Sequence, residues 1–210
     1  MMQVLLPVLC GALLGAALAV PVRLLCAFLL KQRGLAHEME RNHFLILLFS
    51  LVLAGGLIGW RAGFTFRGLY LILILVVAAC TFYIDAKSRV IPNELVLAIL
   101  VLTAVFGFTG AIPFQIWQSL LGFVACFVIF FLPSLFGRNV GAGDVKLAAS
   151  MGFALGLTGS LYAVACMGLL VLAYIAVDKQ VPLPQRLKEV IPMGPFLALA
   201  LVVVLLVTWG

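Results

Sequence analysis

Asp85, Asp144 and Asp178 are the only aspartates in the chain, and the first two stand where hydrophobic runs meet polar loops. Two carboxylates brought close together cannot both ionise cheaply, so such a pair holds one proton between two groups. The ionised member can deprotonate a water that attacks a peptide carbonyl. The protonated member hydrogen-bonds the carbonyl oxygen and supplies its proton as the tetrahedral intermediate forms. That is the chemistry of an aspartyl protease. Asp144 lies in Gly141-Ala142-Gly143-Asp144-Val145-Lys146, where glycine on either side of Ala142 permits positive φ and lets a peptide approach without meeting a Cβ. Each aspartate alone also has a plain reading. Asp144 before Val-Lys-Leu suits a helix N-cap, and Asp85 with Lys87 and Arg89 suits a basic loop. The catalytic reading requires that the chain bring both to one face.

Composition decides what kind of elements could do so. Hydrophobic residues make up 66% of the 210 residues and charged ones 10%, which excludes a soluble globular fold. The mean hydropathy of +1.31 and the lack of sustained alternation point to membrane-spanning helices rather than a barrel. The net charge of +6 is accounted for by cytoplasmic Lys and Arg, without nucleic acid. Cys10, Cys26, Cys80, Cys126 and Cys166 all fall in apolar segments with no C-x-x-C pair, so they read as small hydrophobes. His37 and His43 read as solvated loop residues, and no metal site is expected. Ala17-Leu18-Ala19 resembles a signal-peptidase site. Met-Met-Gln carries no basic side chain and the apolar run resumes at Leu24, so a retained first span is expected.

Apolar runs of near bilayer length cover Val4–Leu30, Phe44–Trp60, Gly68–Ile84, Leu95–Phe108, Ile116–Phe136, Leu147–Val177 and Phe196–Trp209. The run Leu147–Val177 is long for one upright helix, and Gly156-Leu-Thr-Gly-Ser160 in its middle suits a tight turn. Charge arbitrates. With two short helices there, every Lys and Arg except Arg23, Arg61 and Arg67 falls on one side of the membrane. With one helix, Lys179, Arg186 and Lys188 move to the other side. The expectation is an all-α polytopic membrane protein of about eight transmembrane helices, both termini outside, forming a single integral-membrane domain over residues 1–210. Arg23, within the first span, is expected to snorkel.

This topology gathers three polar stretches on the cytoplasmic face: Asp85-Ala-Lys-Ser-Arg-Val-Ile-Pro92-Asn93, the Gly141–Lys146 box, and Ile191-Pro192-Met193-Gly194-Pro195-Phe196. Pro92 is expected to start the fourth helix with Asn93 as its cap, and Lys146 to pair with a carboxylate or a lipid phosphate. Pro192, Gly194 and Pro195 are expected to keep the chain irregular before the last helix. Irregular backbone survives at membrane depth only beside protein or water, so this stretch is a candidate cleft wall.

In kind, order and approximate separation, these three motifs resemble those of the bacterial type IV prepilin peptidases, from about Gly68 to the C-terminus. The resemblance implies that Asp85 and Asp144 are the catalytic pair. It also implies that the substrate is a type IV prepilin or type II secretion pseudopilin, whose short basic leader is cut at the cytoplasmic face of the bacterial inner membrane. Gly141, Gly143, Lys146, Pro92, Asn93, Pro192, Gly194 and Pro195 are expected around the cleft, without a cofactor. Glu38, Glu40, Glu94 and Glu189 are candidates for holding the basic leader. The chain departs from the family at its front. Many members carry a large cytoplasmic loop with paired C-x-x-C zinc motifs, associated with N-methylation, whereas here residues 31–43 form a short loop without cysteine. The glycine-rich first-helix pattern is echoed only by Gly11 and Gly15. Neither zinc nor methyl transfer is expected. Two alternatives are a related G-x-G-D enzyme of preflagellin peptidase type and a small carboxylate-dependent ion or proton transporter. The absence of acidic residues at mid-span speaks against transport.

Overall fold

The computed structural model describes residues 2–35, 39–135, 141–177 and 192–209. The described residues form an all-helical, multi-pass membrane protein. Its helices are α1 (Met2–Gln32), α2 (Arg41–Ala62), α3 (Phe66–Ser88), α4 (Asn93–Phe108), α5 (Ile116–Leu135), a long helix Ala142–Val177, and a last helix Gly194–Trp209. Five of them, the long one included, are long and apolar enough to cross a membrane; α4 and the last helix are shorter. The large apolar side chains left outside, among them Leu13, Phe49, Val101 and Leu169, form the surface that lipid solvates.

The long helix is two helices. At Gly156 the backbone takes φ 69° and ψ 179°, outside the helical region and open in practice only to glycine. We number its limbs α6 (142–155) and α7 (157–177), and the last helix α8. The turn expected within Gly156–Ser160 is therefore present, at its first residue. Tyr174, near the far end of α7, lies 5.6 Å ring to ring from Phe196 at the start of α8. The start of α8 also touches Asp85, in a bond described below. α6 and α7 thus run in opposite senses, as the division of charge required.

Small residues set the closest approaches. A Cβ added at Gly11 or Gly15 of α1 would run into the backbone of α2 at Gly55 and Leu51, and one at Gly59 into Pro7. α1 and α2 therefore pack antiparallel, backbone on backbone, as small-x-x-x-small faces do in membranes. Gly122 of α5 meets Gly152 and Gly156 in the same way. The glycines of the first span are thus helix-packing residues.

α3 is the central element and its buried face carries Tyr70, Ile74, Cys80, Thr81, Ile84 and Asp85. The Tyr70 and Thr103 hydroxyls share a hydrogen bond of 3.0 Å, tying α3 to α4. Arg67 donates to the Trp209 carbonyl at 2.8 Å, tying the start of α3 to the end of α8. Thr65 caps α3, accepting from the Gly68 N–H at 3.1 Å. The five thiols are free, with Cys26, Cys80 and Cys126 buried in the helix packing. Arg23 does not simply reach for water: its guanidinium sits over the Phe44 ring, 5.4 Å from the centroid, where the ring face offsets lost hydration. His43 is a residue of α2 rather than of a loop, its ring edge-on to Tyr83 at 6.4 Å. His37 lies outside the described residues.

Candidate active site

α3 does not stop at the end of its apolar run. It continues to Ser88, and Arg89 closes it in the left-handed conformation (φ 52°), its N–H donating to the Asp85 carbonyl at 2.9 Å. Asp85 is therefore held on a rigid helix, one turn from the end, with only 4% of its surface exposed. The chain then turns through Val90 and Ile91 into α4, whose first residue is Asn93.

α6 begins at Ala142, and the Val145 N–H donates to the Gly141 carbonyl at 3.2 Å. Gly141 therefore precedes the first turn and Asp144 lies inside it, so Asp144 is not the N-cap its sequence suits. Gly143 is helical, so positive φ is not what requires glycine there. Space is. A Cβ on Gly143 would come within 3.1 Å of the Ile91 Cβ, and one on Gly141 within 2.8 Å of Asp144 Oδ2. The glycines let α6 seat its first turn against the α3–α4 turn.

The two aspartates line one open cavity of about 290 Å³, together with Arg89, Val90, Ile91, Asn93, Gly141, Ala142, Gly143 and Lys146. They lie close enough for the charge of one to be felt by the other. Asp144 Oδ1 is buried and has no hydrogen-bond partner among the described residues. An acceptor buried this way is completed by water or by a bound group. Lys146 extends to the mouth of the cavity and donates to Asn93 Oδ1 at 3.2 Å, linking the second motif to the first.

The third motif enters from α8. The Gly194 N–H donates to Asp85 Oδ2 at 3.1 Å, and a Cβ on Gly194 would lie 2.6 Å from that oxygen.

Several expectations need correction. Asn93 does not cap α4: Pro92 is the N-cap residue, its carbonyl accepts from Leu95 and Val96, and the Asn93 amide is drawn to Lys146. Gly194 and Pro195 do not stay irregular. They form the first turn of α8, where proline loses nothing because the N–H it lacks would have no helical partner. Pro92, Pro192, Gly194 and Pro195 are absent from the cavity wall; Pro92, Gly194 and Pro195 are buried, and Gly194 reaches the site through its bond to Asp85. Arg89 lines the cavity, though the sequence marked it only as a loop charge. Its place four residues after Asp85, one helical turn on, was the available signal. Of the leader-binding candidates, Glu94 is already paired with Arg33. Glu40 sits 3.4 Å from His43 and 3.9 Å from Lys87. Glu38, Glu189 and Asp178 lie outside the described residues, as do Arg138, Lys179, Arg186, Lys188 and Ile191. Among the described residues no three His, Cys, Asp or Glu side chains converge as a metal site would require.

The type IV leader peptidase family matches residues 69–176, about half of the chain, both aspartates included. The chain belongs to that family. It is 29% identical over 170 residues to a prepilin leader peptidase/N-methyltransferase of Stutzerimonas stutzeri, covering 75% of this chain and 55% of the relative. It is 27% identical over 173 residues to the protein of the same name from Pseudomonas aeruginosa, with shares of 77% and 56%. The chain thus spans about half the length of the curated relatives it matches. No solved structure matches it significantly.

Proposed function

We propose that this chain is a membrane aspartyl endopeptidase that removes the basic leader from type IV prepilins or type II secretion pseudopilins, at the cytoplasmic face of the bacterial inner membrane. The observation that carries the reading is the shared cavity: Asp85 and Asp144, far apart in sequence, face one water-accessible space in a chain of the leader peptidase family. The dyad holds one proton. One carboxylate takes a proton from water as its oxygen attacks the scissile carbonyl carbon. The other gives its proton to the carbonyl oxygen, and both protons are redistributed as the C–N bond breaks and the amine leaves. A prepilin suits this site because its basic leader precedes an apolar helix, so its scissile bond is delivered at the membrane surface. The second activity in the relatives' name, methyl transfer, is not proposed for this chain. Between Gln32 and Arg41, where α1 and α2 are joined, the loop is too short for a core that could hold a bulky methyl donor.

The test is cleavage of a purified prepilin by the purified chain in detergent, read by mass spectrometry. Asp85→Asn and Asp144→Asn, each close to isosteric, should each abolish cleavage while inserting normally. Asp178→Asn, in no motif, should cleave as the parent does. Full cleavage by either dyad variant would refute the mechanism.

A further inference from the structure

The two aspartates are not equivalent in their surroundings, and the difference comes from the third motif. Gly194 is the first residue of α8, and its N–H has no partner within its own helix. It donates instead to Asp85 Oδ2 at 3.1 Å, inside the buried bundle. A backbone N–H aimed at a carboxylate, at the positive end of a helix, favours the ionised form. Asp144 Oδ1, by contrast, is buried with no donor among the described residues. Only glycine permits the arrangement, since a Cβ at 194 would lie 2.6 Å from the oxygen that accepts the bond.

We propose that Gly194 is a positioning residue that divides the labour of the dyad, holding Asp85 as the ionised base and leaving Asp144 to carry the proton. The inference rests on the peptidase reading above. In the forward step Asp85 accepts a proton from the attacking water, the water oxygen bonds to the carbonyl carbon, and Asp144 donates its proton to the carbonyl oxygen. In the second step Asp85 passes its proton to the leaving nitrogen as the C–N bond breaks. Asp144 recovers a proton from the gem-diol, restoring the starting state. The other charges near Asp85 do not make this assignment redundant. Arg89, one helical turn beyond Asp85, favours the same ionised form and stays in place in the variant below, and Lys146 lines the cavity with both aspartates. α8 brings no ionisable side chain among its described residues. Glu94 of α4 is turned to Arg33. Glu40 and His43 gather around Lys87 and Tyr83, and Arg23 is held over Phe44.

The deciding variant replaces the amide at residue 194 by an ester, made by joining a synthetic α8 segment to the rest of the chain; it removes the N–H and adds no atom. Prepilin cleavage is then measured against pH. The ionised base loses its donor, so it protonates at higher pH. The acid limb of kcat/KM should move up by about one pH unit, roughly tenfold in proton affinity. The high-pH plateau and KM should stay within a few-fold. Gly194→Ala should lower the plateau as well, because its Cβ displaces Asp85, while Leu199→Ala on the exposed face of α8 should change neither. An unmoved acid limb in the ester variant, or a shift of the basic limb in its place, overturns the assignment. The Asp→Asn variants test the dyad separately, so the division of labour can fail while the peptidase stands.

Discussion

Gly156→Ala isolates the strain at the α6–α7 break. The backbone at Gly156 has φ 69° and ψ 179°, a region that L-residues enter only at a cost of about 1–3 kcal/mol. Space does not oppose the substitution: the nearest atom to a new Cβ is the Gln118 Cβ at 3.5 Å, an ordinary contact. The expected loss is therefore purely conformational, about 1–3 kcal/mol, or roughly 5- to 150-fold in the folded-to-unfolded ratio. Gly168→Ala supplies the opposite sign from the same segment. Gly168 lies within α7 with nothing within 4 Å of a new Cβ, so alanine there should stabilise by roughly 0.5–1 kcal/mol through reduced chain entropy. Both are read from reversible unfolding in mixed micelles with increasing denaturing detergent. Gly156 is about 18 Å along α6 from Asp144, so the folded fraction of Gly156→Ala should keep the parent kcat. If Gly156→Ala were as stable as the parent, the backbone would not be broken there. Residues 142–177 would then form one continuous helix, and the gathering of Tyr174 and Asp144 at one end would be wrong.

Gly141→Ala should lower kcat/KM by about tenfold or more, with little change in unfolding, because its Cβ would stand 2.8 Å from Asp144 Oδ2; parent-level cleavage would mean that the glycine box serves packing alone. Reporter fusions after Lys87, Lys146 and Lys188 should report the cytoplasm, and fusions after Gly63 and at Gly210 the opposite side; an outside signal after Lys188 would refute the eight-helix topology. Prepilin processed by the purified chain with S-adenosylmethionine present should lose its leader and gain no methyl group, and a mass increase of about 14 Da on the new N-terminus would place a transferase within the helices.

The helices, and the two aspartates that share the cavity, were legible because they rest on signals that are local in sequence. Hydrophobic runs mark spans, and the charge imbalance decided between one helix and two at residues 147–177 where hydropathy alone could not. What could not be read was geometry that depends on two segments meeting. Asn93 looks like a cap because Asn caps helices. Its amide instead follows Lys146, a residue 53 positions away. Gly143 looks like a turn glycine, yet it is helical, and the reason for it is Ile91 on another element. Gly194 looked like a helix breaker, but its role comes from a carboxylate 109 residues earlier. One of the acidic candidates, Glu94, has a partner that could not be read for the same reason. Glu94 is paired with Arg33, across a gap no local pattern records.

The helices that bring Asn93, Gly194 and Asp144 to the site are short, while α3, which carries Asp85, is long enough to span the membrane. α4 and α8 have 16 residues each, a rise of about 24 Å, and the 142–155 limb rises about 21 Å. Hydrocarbon is about 30 Å thick. The far ends of α6 and α8 meet around one cavity of about 470 Å³, lined by Phe114, Gln118, Gly156 and Trp209 among others, and Phe108 at the far end of α4 packs on its Phe114 wall. The near ends of these three helices bring Asn93, Gly194 and Asp144 to the site. The lengths of α4, α6 and α8 taken alone would set Asn93, Gly194 and Asp144 roughly 6–9 Å below the opposite surface, and α3, at about 28 Å from Phe66 to Asp85, would set Asp85 nearer to it. If the shorter measure holds, the bilayer thins locally for substrate to arrive there, at a fraction of a kcal/mol per Å of mismatch. Cleavage of prepilin in bilayers of increasing acyl-chain length should therefore fall by about tenfold from thin to thick membranes, with the enzyme folded throughout. A rate that does not depend on chain length would mean that the site already stands at the surface and that the short helices are offset rather than recessed.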